Sequence, residues 1–160
     1  MAFVKDKTPY KGDLLRVKRK QGYFHFGIAV SEDRVIHFTA PNSDLSEDNK
    51  QLKIIETPLS QFIRDDVLEI QEPYNAVFTR DEVVKRAKNY ANSSCFRGKP
   101  YNFISNNCEH FARYCYDGKA TSKQVNDVAT AVVAAGATIV TGTVAAVVAT
   151  HNKKAAKKKD

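Results

Sequence analysis

The sequence predicts an α+β domain, an antiparallel sheet with helices packed on it, followed by an apolar C-terminal helix. Three observations carry that prediction. Short segments rich in Val, Ile and Phe, separated by polar clusters, occupy the first part of the chain. Further on the hydrophobic period lengthens to a helical one, and residues 128–150 then carry no charge at all.

In chain order, residues 14–18, 23–30, 34–39, 52–57 and 67–71 read as strands, with the polar run at 41–51 as a loop. Thr79, followed three residues later by Glu82, has the form of a capping box, and Val83, Val84, Ala87, Tyr90 and Ala91 trace the stripe of a first long helix. Gly98, Lys99 and Pro100 break the structure. Asn106 is then expected to cap a second helix with Glu109 at its third position, running to about Gly118. Residues 1–125 form one domain in this reading, 126–150 an anchor helix and 151–160 a basic tail.

Composition narrows the function. The net charge is +7, but five of the lysines lie in the last eight residues; residues 1–126 hold 20 basic and 16 acidic side chains. No dense Arg/Lys stripe remains, so nucleic acid is not an expected partner and an anionic surface is. Three cysteines without a C-x-x-C spacing support neither a disulfide framework nor a Cys-rich zinc module. Free thiols in a reducing compartment follow. The 23 residues at 128–150 would make a helix about 34 Å long, enough to cross the hydrocarbon core.

Residues 106–111, NNCEHF, carry the clearest chemistry. Cys108 falls in a first helical turn, where unpaired amides and the helix dipole favour thiolate. A nucleophilic thiol also needs a base, and His110, two residues along the helix, points about 200° away from it. His25 and His37 each sit within a strand. With a two- or four-residue turn between their strands they point to opposite faces. With a three-residue turn, Ser31 to Asp33, Gly27 lies opposite His37 and the two imidazoles share a face at about 7 to 8 Å between α-carbons. Two His and one Cys make an incomplete zinc site, whereas a nucleophile, a base and an orienting imidazole make a Cys-His-His arrangement. Cys95 and Cys115 lack the first-turn position and read as packing residues.

FHFGIAV around His25, the spacing of twelve to His37 in VIHF, and NCEHF around Cys108 resemble the phospholipase A/acyltransferase family. These are small relatives of lecithin:retinol acyltransferase, within the NlpC-type papain-like thiol enzymes of permuted order. The resemblance extends through KATSKQVNDV into the apolar tail, over roughly residues 10–160. It implies a permuted papain-like fold, with Cys108 as nucleophile, His25 as base, His37 as third member, and Tyr23 helping to hold the acyl oxyanion. It also implies calcium-independent phospholipase A1/A2 and acyltransferase activity without cofactor or metal, acting on glycerophospholipids with water or phosphatidylethanolamine as acceptor. Residues 16–23, RVKRKQGY, are more basic than the family pattern, and Gly27-Ile28-Ala29 is smaller. Both departures bear on substrate preference. A thiol peptidase or amidase and a non-catalytic membrane adaptor are the alternative classes.

The N-terminus shows no secretory pattern. The expected placement is therefore a cytosolic domain held on an intracellular organelle membrane, peroxisomal or mitochondrial, with the lysine tail on the far side.

Overall fold

The computed structural model describes residues 2–40, 51–102 and 107–123. Within them the elements run β1 (Ala2–Val4), β2 (Leu14–Lys18), β3 (Phe24–Ala29), β4 (Arg34–Thr39), β5 (Lys53–Pro58), α1 (Leu59–Ile63), β6 (Leu68–Glu72), α2 (Arg80–Lys88), β7 (Cys95–Phe96), β8 (Lys99–Pro100) and α3 (Cys108–Asp117). The fold is α+β. Six strands form one antiparallel sheet in the order β1-β6-β2-β3-β4-β5. β7 and β8 make a separate hairpin, turned by Arg97 at φ 53° and Gly98 at φ 73°.

Both faces of the sheet are covered. Leu14, Phe26, Ile28, Ile36 and Phe38 point to the side of α2 and α3, where they join Val83, Ala87, Phe111, Ala112 and Cys115. Their strand neighbours Leu15, Val17, Ala29, Val35 and Ile70 point the other way, onto Phe62 of α1. Two buried faces explain why β3 and β4 are apolar almost throughout instead of alternating with polar residues.

The expected capping box at Thr79 and Glu82 is present, with both reciprocal bonds made. Two short elements escape sequence patterning. β1 is three residues long, and it forms by pairing with β6, distant in sequence. α1 has five residues, below the length at which a helix holds itself in water. Full burial of Phe62 contributes about 1.5–3 kcal/mol and anchors it. Residues 41–50 of the expected loop at 41–51, the apolar run at 128–150 and the lysine tail lie outside the described residues; among those described, no helix is long and apolar enough to cross a membrane.

Candidate active site

The β3–β4 turn sets the histidine geometry. Val30 N–H donates to Arg34 O at 2.8 Å across a three-residue turn, and Gly27 lies opposite His37. The two imidazoles therefore share a face, and His25 Nε2 lies 2.7 Å from His37 Nδ1. Both side chains are buried. His37 Nε2 continues the row to the Thr57 hydroxyl at 2.9 Å. Thr57 reaches this position because it pairs with Val35, two residues before His37 on the same face. Residue identity alone did not single it out, since the β4–β5 register is set across a long connection.

Two proton arrangements satisfy the row. In one, His37 Nε2–H donates to Thr57, His25 Nε2–H donates to His37 Nδ1, and His25 Nδ1 carries a lone pair; in the other every proton moves one place and Nδ1 is protonated. The first is the form a base requires. Burial, followed by the positive charges of Arg19 and Arg64, holds His25 well below its ordinary value of 6.5, so the ring is neutral at pH 7. Phe62 packs against both rings, with centroids at 5.3 Å from His25 and 5.2 Å from His37. The small residue at 27 makes space for that packing: a β-carbon on Gly27 would lie 2.6 Å from a Val35 methyl and 3.1 Å from the Phe62 ring.

Cys108 is the first residue of α3, in the expected first turn, but the cap is shifted by one. Asn107, not Asn106, accepts from the N–H groups of Glu109 and His110, each at 3.0 Å, and its own N–H donates to His110 Nδ1. The third position thus belongs to His110. Glu109 is instead fully buried, accepting from Arg113 Nε at 3.0 Å and from the Ser122 hydroxyl at 2.7 Å. Cys108, Phe111, Ala112 and Cys115 form the buried stripe that their spacing predicts. Burial pushes the Cys115 thiol up to about 12, which suits a packing residue.

The structure brings His25 and His37 into contact and brings Cys108 to the same two strands, since α3 lies against β3 and β4. By strand alternation the imidazoles point to the α1 side, whereas Cys108 packs with the cluster on the α3 side. Tyr23 is half-buried at the entry to β3, where its carbonyl accepts from Arg19 N–H at 2.9 Å. The basic stretch is less available than its sequence suggests. The Arg16 guanidinium lies between the Phe3 and Phe24 rings and pairs with Glu69, and Arg19 is buried against Asp66. Lys18 and Lys20 are exposed. Among the described residues no three metal-ligand side chains gather, and the imidazole nitrogens within the row face each other and Thr57.

The buried imidazole row and the first-turn cysteine lie on elements that pack against each other. The chain belongs to the lecithin retinol acyltransferase family, whose model matches residues 7–121. It is 30% identical over 141 residues to human phospholipase A and acyltransferase 2, an alignment covering 80% of this chain and 83% of that protein.

Proposed function

We propose that this protein is a thiol-dependent phospholipase A and acyltransferase of permuted papain-like fold, acting on glycerophospholipids. The observation that carries the reading is the buried His25–His37–Thr57 row, which supplies a neutral, oriented base to a chain of an acyltransferase family. In the proposed cycle Cys108 is brought to the imidazole face, His25 Nδ1 takes its thiol proton, and the thiolate attacks the acyl carbonyl. Tyr23 helps to hold the tetrahedral oxyanion. Collapse expels the glycerol oxygen, which takes the proton from His25, and leaves an acyl-thioester on Cys108. Water then gives a fatty acid, or the amine of phosphatidylethanolamine gives an N-acyl product. The acceptor is chosen only in this second half-reaction. Neutral His25 acts as the base, and His37, backed by Thr57, steadies the imidazolium that forms. No step calls for calcium or a cofactor. The segment 128–150 would hold the domain on an intracellular membrane, where both substrates are found.

A membrane-held adaptor without turnover is the second reading, and one observation favours it: Cys108 packs with the cluster on the sheet face opposite the imidazoles. Incubating the full chain with phospholipid bearing a labelled acyl group, and searching for that group on Cys108 by mass spectrometry, separates the two. An acyl adduct on Cys108 that is absent from H25A supports the enzyme. Lipid binding without any adduct supports the adaptor.

A further inference from the structure

Arg19 sits where the sequence shows only a basic turn, yet it is 4% exposed and committed on three sides. Its guanidinium donates to Phe62 O at 2.7 Å and Ile63 O at 3.1 Å, and pairs with Asp66 at 2.7 Å. Those carbonyls belong to the last turn of α1, which ends at Arg64 with a positive φ of 58°, a backbone conformation that residues other than glycine rarely adopt. A charged fork on two adjacent carbonyls holds that end in place. Phe62, between the fork and the site, is the residue whose ring packs on both imidazoles.

We propose that Arg19 is a positioning residue for the imidazole pair: by closing the C-terminal end of α1 it fixes the Phe62 ring, and so sets the orientation of His25 and His37. The inference rests on the proposed use of that pair in acyl transfer. The guanidinium also places a positive charge near His25 and disfavours the imidazolium. The charged and titratable groups around His25 are His37 from β4, Arg19 from the end of β2, and Arg64 and Asp66 from the turn after α1. Cys108 packs with the cluster under α3, the helix whose first turn also carries Glu109 and His110. Asp66 is paired with Arg19. Lysine carries the same charge but no planar fork.

The test uses the full chain in detergent micelles, with ring-labelled histidine and phenylalanine, in wild type, Arg19→Gln, Arg19→Lys and Phe62→Leu. In wild type the His25 ring titrates below 6.5 and shows proton–proton contacts to Phe62. Arg19→Gln is expected to weaken those contacts and raise the His25 midpoint, while Arg19→Lys weakens the contacts with little change in midpoint. Turnover should fall about tenfold in Arg19→Gln, in kcat rather than KM. Phe62→Leu covers the case in which Arg19→Gln does not fold, and should lower kcat with the His25 midpoint unchanged. Wild-type contacts and midpoint in Arg19→Gln, or wild-type kcat in Phe62→Leu, would overturn the proposal. The histidine titration is read without turnover, so an inactive wild type defeats the enzymatic reading alone.

Discussion

Replacing Thr57 by Val removes one oxygen from the imidazole row at nearly constant volume. Thr57 is 4% exposed and His37 2% exposed, so little water reaches the vacated position. His37 Nε2 loses its 2.9 Å hydroxyl partner in that setting. Withdrawing a partner from a buried polar atom costs about 1–3 kcal/mol, more than the net worth of an ordinary hydrogen bond, because the remaining group keeps its desolvation penalty. Val itself restores the apolar contacts, so no cavity adds to the figure. Urea unfolding of the full chain in micelles should show the midpoint falling with the slope unchanged, and Thr57→Ser should recover about half or more of the loss. Acyl transfer should drop by about 10- to 100-fold, since His37 can then rotate away from His25. Wild-type stability together with wild-type turnover in Thr57→Val would show that the row ends at His37.

Cys108→Ser and His25→Ala should each abolish acyl transfer from labelled phospholipid with near-wild-type circular dichroism, while Cys95→Ser and Cys115→Ser keep most activity. Equal loss in all four would point to packing alone. Because His25 binds its proton more weakly in the folded chain than in the unfolded one, its contribution to stability is complete above pH 6.5 and falls as pH drops toward its folded value, by at most about 1.4 kcal/mol per pH unit. Burial depresses His110 likewise, so unfolding measured from pH 8 downward should lose stability in that window, with a smaller slope in His25→Gln. Ser122→Ala removes the hydroxyl donor from the buried Glu109 carboxylate and should cost about 1–3 kcal/mol in urea unfolding. An epitope placed after Asp160 should be protected from protease in intact organelles if 128–150 spans the membrane, and digested if that segment lies in the interface.

Local signals exposed most of the sheet. Leu14–Lys18 and Arg34–Thr39 were bounded correctly, and the parity of the register ties the three-residue turn to the shared face of the two histidines, with no positive φ at Asp33. What stayed hidden depended on distant pairing. Phe62 lies on a helix too short to display a period, and Thr57 acquires its role only through the β4–β5 register. Arg19 could not be told from its basic neighbours, because its partners lie more than forty residues away. The cap of α3 was misplaced by one residue because two adjacent asparagines offer the same chemistry; the choice fell to the residue whose third neighbour, His110, could return a ring nitrogen to the cap N–H.

The attachment of Ser122 to the first turn of α3 gives the tail a short leash. Its hydroxyl meets Glu109 and, at 3.5 Å, the side-chain amide of Asn107, so the outgoing chain is moored beside Cys108. Only five residues separate Ser122 from Val128, a contour of about 20 Å at full stretch. Once the apolar run enters a bilayer as proposed, that end of α3 cannot drift far from the lipid surface.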